Sequence, residues 1–381
     1  MKIAVFYNLT FSGAKRTVLE HVKGLKALGH SVDVYTLDAD RDIFDPGIAA
    51  HNEYKYIYKQ IIINIPFLKR VIRDLGDFIL LKSVHRKIAQ DIDSRKYDIA
   101  LIHTDRFTQA PFILRFLKTR SIYFCLEPLK MVYEYGLRVP DNLYFLNKAY
   151  ESFNRYARKK IDRENARASD HSLAISYFGR ELMIQSFDMY PEISYLGVDI
   201  NQFKNLHIPK KNQILFVGQK LKLNGYEYAL EAIKLIPKNI RPELKVLSIS
   251  KDVSKRLSDK EIVKLYNESM MTLSLSNFDT FGLVALESLA CEVPVVAFNV
   301  AGYRETMLDG KTGYLVDFFA SDIAGRIIEL IKDLQLRDGM GKAGREWVKK
   351  QWTWEKQVKD LETLLINYKS HRIAKKNHEK R

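Results

Sequence analysis

Two α/β halves of Rossmann type are what this sequence predicts, and three observations predict them. Short apolar runs of strand length alternate with stretches of helical apolar spacing along most of the chain. The connections between them are short, so the strands should be parallel and joined by right-handed crossovers. At 381 residues the chain exceeds the size at which a single core usually keeps growing, which favours two domains.

The elements follow in order. "KIAVFYN" (2–8) reads as a strand and "LTFSGAKR" as the turn after it, with Ser12-Gly13 at its centre. Val18, Val22, Leu25 and Leu28 recur at helical spacing within 14–28, and Gly29-His30 ends that helix. "SVDVYTL" (31–37), "YDIALIH" (97–103), "RSIYFCL" (120–126) and "DHSLAIS" (170–176) are further strands, with a helix expected over about 108–118. A second series begins with "QILFVGQ" (213–219), a helix over 225–236 and "ELKVLSIS" (243–250). A helix near 258–269, "MTLSLS" (271–276), a helix from about 281 and "VPVVAF" (293–298) complete it. "NLHIPKKN" interrupts the pattern and places the boundary near 200–212. The expected domains are therefore 1–200 and 201–351.

Composition narrows the function classes. With 46% apolar and 28% charged residues the chain reads as an ordinary soluble protein. Its two cysteines, Cys125 and Cys291, imply neither a disulfide framework nor a cysteine zinc site, which suits a reducing compartment. "MKIAVFYN" is too short in apolar residues for a signal peptide, and no run reaches a membrane span, so the expected location is the cytoplasm. The net charge of +15 favours anionic partners: phosphates, anionic lipid surfaces or nucleic acid. Nucleic acid would also need a basic stripe with exposed aromatics, and nothing besides net charge recommends it.

Tyr54 to Lys87 stands apart. Ile61, Ile65, Leu68, Ile72, Leu75 and Ile79 step by four and three, and eight Lys/Arg against two Asp surround them. Such a segment can lie on an anionic bilayer or pack as a helix on its own domain. The basic tail from Lys369 is either a solvated end or an electrostatic anchor.

The chemistry concentrates in "FDTFGLVALESLACEVPVV" (278–296). The strand before it should end near Ser276, at the carboxyl edge of a parallel sheet, where ligands of open α/β sheets bind. A helix then starts at about Phe281, and Gly282 leaves room for a close approach to its first turn. Free N–H groups and the positive end of the helix dipole make that start an anion site. Glu287, four residues after Leu283, faces the same side one turn deeper and can accept hydrogen bonds from sugar hydroxyls. With Asp279 ahead of the helix, the pattern suits a nucleotide sugar. The plain alternative is an N-cap at Asp279 or Thr280 and a solvated glutamate.

The stretch "DTFGLVALESLACEVPVVAFNVAGYRETMLDGKTGYLV" resembles the donor-binding signature of retaining family 4 glycosyltransferases, E-x-F-G-L-x-x-x-E followed by P-V-V-A, G-G-x-x-E and D-G-x-T-G-x-L-V. "SGAKRTVLEHVKGLKALGHSVDVYT", "IYFCLEPLKMVYEYG", "YLGVDINQF" and "ILFVGQKLKLNGYEYALEAI" are similar to further motifs of that family, in the same order. The resemblance implies the GT-B fold, two Rossmann-like domains facing across a cleft, with "WTWEKQVKDLETLLINY" (352–368) crossing back so that 352–381 joins the first domain. It implies a nucleotide-sugar donor, a glycan or lipid-linked acceptor, no cofactor and no metal. By position, Glu287 would bind the ribose, the N–H groups near Phe281, Gly282 and Leu283 would hold the phosphate, and Gly13 would lie beside the diphosphate. Asp279 would stand at the donor sugar in place of the family's glutamate.

Three departures accompany the resemblance. Gln219 and Asn224 replace the Arg and Lys that clamp the diphosphate; Lys220 or Lys222 could restore the charge, Lys222 the better placed by alternation. Leu126 replaces a histidine, and His103, at the expected end of "LIHTDR", could line the cleft instead. Asp279 is shorter than Glu by about 1.5 Å. "FSGAKR" lacks the G-x-G-x-x-G spacing of a dinucleotide site. "DAD" (38–40) follows a Rossmann-like strand, so its likeness to a metal-binding Asp-x-Asp is taken as coincidence. Between Ser250 and Lys260 there is no room for the extra strand–helix unit of many relatives. The leading expectation is a hexosyl-transferring enzyme at the cytoplasmic membrane face; the alternative is a catalytically silent GT-B protein that binds a glycan or a partner.

Overall fold

The apolar run Lys2–Asn8 forms β1 at the centre of a sheet, buried on both faces as a central parallel strand requires. The structure, a computed structural model, describes residues 1–37, 42–60, 68–133, 145–248 and 257–370, without the side chains of Leu68, Lys69, Leu146 and Lys222. The Asp-Ala-Asp at 38–40, residues 61–67 of the basic amphipathic stretch and the tail beyond 370 lie outside the described residues.

The chain divides into two units. The first comprises Met1–Ile175, Gly179–Ser194 and Val358–Arg381, the second Ser176–Phe178 and Tyr195–Gln357. After touching the second unit at 176–178 the chain enters it at Tyr195, a few residues before the anticipated 200–212, and returns to the first at Val358.

In the first unit, β1 is joined by β2 (Ser31–Thr36), β3 (Asn52–Lys55), β4 (Ile99–Asp105), β5 (Ser121–Cys125), β6 (His171–Ala174) and β7 (Glu192–Ile193). The order is β3-β2-β1-β4-β5-β6-β7, with every pair parallel. This is the Rossmann order, and it reverses between β1 and β4. The helices are α1 (Gly13–Ala27), α2 (Leu68–Ser94), α3 (Lys130–Tyr133), α4 (Phe145–Arg167) and α5 (Tyr177–Phe187). The helix expected over 108–118 is a single 3-10 turn at Phe112–Arg115. The Asp105 carboxylate accepts from the N–H groups of Phe107 and Thr108, and Gln109 adopts φ 59°. That local turn diverts the backbone before a helix can nucleate.

The second unit holds β8 (Gln213–Val217), β9 (Glu243–Leu247), β10 (Thr272–Ser274), β11 (Val295–Phe298) and β12 (Gly313–Val316) in the order β12-β11-β10-β8-β9, again all parallel. Its helices are α6 (Tyr226–Leu235), α7 (Asp259–Glu268), α8 (Leu283–Ala290), α9 (Tyr303–Thr306), α10 (Ala320–Lys332) and α11 (Leu334–Gln351). Counted within the sheet this is the order 2-1-3-4-5, which reverses between β8 and β10. Each unit has its own core, one around Phe6, Ile102 and Tyr123, the other around Phe216, Leu273 and Phe298.

The last helix, α12 (Trp354–Ser370), begins in the second unit and ends in the first. Val358, Leu361, Leu365 and Tyr368 are buried, and Gly24 of α1 makes room for them, since a Cβ there would meet the Val358 methyls at 2.7 Å. The Lys2 N–H donates to Asp98 at 2.8 Å, and Lys369 Nζ pairs with the same carboxylate at 2.8 Å.

Candidate functional site

The strand order reverses between β8 and β10, the position at which open α/β sheets bind ligands, and the motif loops follow these two strands. After β8 the chain runs through Gly218, Gln219 and Lys220 to a 3-10 turn at Lys222–Asn224 and on to Gly225, the N-cap of α6. Gly225 has φ +74°, and a Cβ there would sit 2.1 Å from the Leu275 carbonyl oxygen. Only glycine lets this loop close onto the end of β10. Asn277 N–H then donates to Leu223 O at 3.3 Å, so the two loops are hydrogen-bonded to each other.

The β10–α8 loop is built around Asp279. Its Oδ1 accepts from Gly282 N–H at 2.7 Å and Phe281 N–H at 3.2 Å, and its Oδ2 accepts from Tyr303 Oη at 3.2 Å. Burial, with the Asp279 carboxylate beside it, pushes the Tyr303 phenol well above its usual range and keeps it a donor. Gly282 is the N-cap of α8 with φ +95°, and a Cβ there would meet Thr306 Oγ1 and Tyr303 Cδ1 at 3.0 Å. A glycine cap brings no side-chain acceptor. The N–H groups of Leu283, Val284 and Ala285 therefore have no partner among the described residues. These three donors at a helix start form a seat for an anion. Glu287 lies one turn deeper, half-buried, with Oε2 accepting from Tyr266 Oη of α7 at 3.0 Å.

The α9 segment closes the loop from below. Gly302 N–H donates to Asp279 O at 3.1 Å, and a Cβ on Gly302 would meet the Phe281 Cα at 2.4 Å. Glu305 accepts from the N–H groups of Tyr177 and Phe178 and from Tyr195 Oη, while Ser176 Oγ donates to Thr280 O at 2.6 Å. The second member of "AGYRET" is thus spacing, and its acid is a tether.

The structure brings Asp279, Gly282, Leu283 and Glu287 together on one loop and helix start. The N–H of Gly282, assigned to a phosphate, is held by Asp279. Phe281 is buried against Trp352 and Tyr195, at ring separations of 5.6 and 6.1 Å, so its side chain serves the core. Gln219 and Lys220 are exposed, with Lys220 Nζ 5.8 Å from the Tyr226 ring. The side chain of Lys222 lies outside the described residues.

The other two residues belong to the first unit. Gly13 opens α1 beside the β1–β4 reversal, exposed, with nothing within 4 Å of where a Cβ would stand. His103 needs correction. β4 runs on to Asp105, so His103 is inside the strand and fully buried between His21 and Phe124, at ring distances of 5.3 and 5.0 Å. Burial lowers its pKa well below the usual imidazole range. It is a neutral core residue rather than a lining of the strand end.

Sequence reasoning missed Tyr266 and Tyr303. Each is a buried tyrosine whose hydroxyl ends on a motif carboxylate, a pairing between distant segments that no local spacing signals.

The Glycosyltransferase Family 4 signature matches residues 11–202, and that of glycosyl transferases group 1 matches residues 247–347. The chain belongs to glycosyltransferase family 4. Among relatives of this family 4 chain, N-acetyl-alpha-D-glucosaminyl L-malate synthase of Bacillus anthracis is 35% identical over 149 residues, 39% of this chain and 37% of that protein. The match thus spans little more than a third of that synthase's length. An uncharacterized glycosyltransferase of Methanocaldococcus jannaschii is 26% identical over 322 residues, 81% of this chain and 84% of that one. Sucrose-phosphate synthase from Thermosynechococcus elongatus superposes with a TM-score of 0.69 at 17% identity, covering 96% of this chain and 98% of that one. HepE of Anabaena in complex with UDP-glucose gives 0.68 at 15% identity, covering 96% and 100%. The fold is that of the GT-B glycosyltransferases.

Proposed function

We propose that this family 4 chain is a retaining glycosyltransferase that moves a hexosyl-type sugar from a nucleotide sugar to a lipid-linked glycan, surface polysaccharide or glycolipid. The observation that carries this is the trio of open N–H groups at Leu283–Ala285, behind a glycine cap, with Glu287 one turn deeper. The trio accepts a diphosphate, and Glu287 accepts the ribose hydroxyls. Charge that develops on the leaving diphosphate is offset by these fixed N–H dipoles and by Lys220 or Lys222 from the neighbouring loop. Asp279 shapes the helix start and contributes its remaining lone pairs to the sugar side. That HepE binds UDP-glucose supports a donor of this class.

The acceptor is assigned from the charge of the chain and the amphipathic stretch at 54–87, which would hold the enzyme peripherally on an anionic membrane at the cytoplasmic side. The described residues contain no helix long and apolar enough to cross a membrane. A thermal-shift panel of nucleoside diphosphates and nucleotide sugars tests the donor. At least one should stabilise the wild type, and Glu287→Ala should lose that stabilisation. No stabilisation by any member of the panel would sink the proposal.

A second reading, a catalytically silent GT-B protein, is favoured by Gln219, Asn224 and Leu126 and by the engagement of Asp279 with its own helix start. Two lost charge-assisted bonds of about 1.5–3 kcal/mol each would nearly abolish donor binding unless the loop lysines replace them. Nucleotide-sugar binding with no release of nucleoside diphosphate, in the presence of membrane extracts as acceptor source, would favour this second reading.

A further inference from the structure

Over 70–79 of α2 and 145–158 of α4 the acids face inward and several apolar side chains face outward, while Leu81, Ile88 and Ile92 of α2 pack in the core. Arg70 pairs with Glu151, Asp74 accepts from Asn154 at 3.2 Å, and the Arg158 guanidinium lies over the Phe78 ring at 5.2 Å. Contacts that advance together along both chains mean that the helices run parallel. Asp74 and Asp77 are each 3% exposed and Glu151 is 6% exposed. Tyr150 and Arg158 also hold Asp74, Arg155 holds Glu151, and Tyr58 and Gln60 hold Asp77. Outside stand Leu75 (50% exposed), Ile79 (70%), Phe145 (82%), Phe153 (62%) and Tyr156 (67%).

Leu75, Ile79 and Phe153 share one face. On α2 the exposed residues follow the seam by one position, Leu75 after Asp74 and Ile79 after Phe78. On α4 they precede it, Phe153 before Asn154. For parallel right-handed helices, a step of +100° on one and −100° on the other turns both sets to the same side. The α2 stripe continues through Lys82 and Arg86, and the α4 stripe through Lys160, all exposed. Between Leu68 and Gln90 the chain has six Lys/Arg and two acids, and between Phe145 and Lys160 five and one. All three of those acids are the buried ones. The outer face therefore combines apolar side chains and cations with no exposed carboxylate along these stretches.

We propose that the paired outer face of α2 and α4 docks on an anionic bilayer, with Leu75, Ile79 and Phe153 entering the acyl boundary and Lys82, Arg86 and Lys160 meeting lipid phosphates. A water-facing pair would do the reverse, hiding the apolar residues and exposing the acids. Charge complementarity selects an anionic lipid surface over a second copy of this basic chain. The assignment rests on the reading of the chain as a membrane-face enzyme and adds α4 to it.

Co-sedimentation of the full chain with vesicles of phosphatidylcholine, alone or with one-third phosphatidylglycerol, tests it. The wild type should bind the anionic vesicles at least about tenfold better, and high salt should reduce the difference. Ile79→Ser with Phe153→Ser should weaken binding about tenfold, as should Lys82→Glu with Lys160→Glu, while Leu235→Ser in the second unit leaves it unchanged. Each variant should keep the wild-type melting temperature and nucleoside-diphosphate stabilisation, which separates lost docking from lost folding. Wild-type binding that neither double variant alters overturns this face while leaving the membrane reading standing. Failure of the wild type to bind anionic vesicles overturns both. A dimer in ultracentrifugation that Ile79→Ser with Phe153→Ser dissolves overturns it in favour of self-association.

Discussion

Tyr266 and Gly282 carry the sharpest expectations at the proposed nucleotide seat. Tyr266 donates to Glu287 at 3.0 Å from a buried position, so it fixes the direction of the carboxylate without touching a ligand. Tyr266→Phe removes one hydrogen bond to a charged acceptor, worth about 1.5 kcal/mol, and should weaken nucleoside-diphosphate binding by roughly tenfold. If Tyr266 acts only through Glu287, the substitution should have no further effect in a Glu287→Ala background; calorimetric titration of both proteins checks this. Gly282→Ala must place a Cβ at φ +95° and 3.0 Å from two side-chain atoms. A left-handed non-glycine residue costs about 1–2 kcal/mol, so the denaturation midpoint should fall accordingly. Asp279→Ala should cost a similar amount, about 0.5–2 kcal/mol, because it leaves Phe281 and Gly282 N–H without their acceptor. Asp279→Asn, which keeps the acceptor oxygen, should recover part of that loss.

The layers around β4 make the first unit sensitive to acid. His21, in α1, is held at about 3 by burial, and His85, in α2, at about 4 by burial, with Asp105 opposing. Both stay neutral in the fold, whereas an unfolded histidine titrates near 6.5. The unfolded chain therefore takes up more protons below 6.5, so this stability is present above 6.5 and lost as pH falls towards 4 and then 3. Asp162, raised to about 7 by burial, runs the other way: its cost builds as pH rises from about 4 to 7 and is complete above 7. Two histidines outweigh one aspartate, so urea midpoints should decline from pH 6.5 to 4.5. A midpoint that stays flat over that range would contradict this account. The inner strands of both sheets were legible because buried parallel strands are continuous apolar runs; the short edge strands β3, β7 and β12 were not. The segment at 108–118 was not, since Asp105 diverts it through side-chain-to-backbone bonds that have no periodicity. The same holds for the site. Gly282 and Glu287 could be read from spacing, but which donors Asp279 consumes depends on Tyr303, twenty-four residues further on.

Across the units, α12 ties the last described residues of the chain to the first sheet. Val358, Leu361, Leu365 and Tyr368 are buried there, and each is worth about 1.5–3 kcal/mol. Ending the chain after Gln357 would remove more than about 5 kcal/mol from folds that hold only about 5–15. The truncated protein should be insoluble or lack a cooperative transition for the first unit; a soluble form with wild-type amide-exchange protection in β1 and β4 would refute this. Asp98 has a further consequence. It receives Lys2 from one end of the described chain and Lys369 from the other, at the amino edge of the sheet. The first unit is thus almost a closed ring of backbone, and a short linker from residue 370 to residue 1 should permit circular permutation. A fluorophore attached at Met1 or Ser370 would sit on the edge opposite Gly13, leaving the carboxyl-edge loops of the first unit unobstructed.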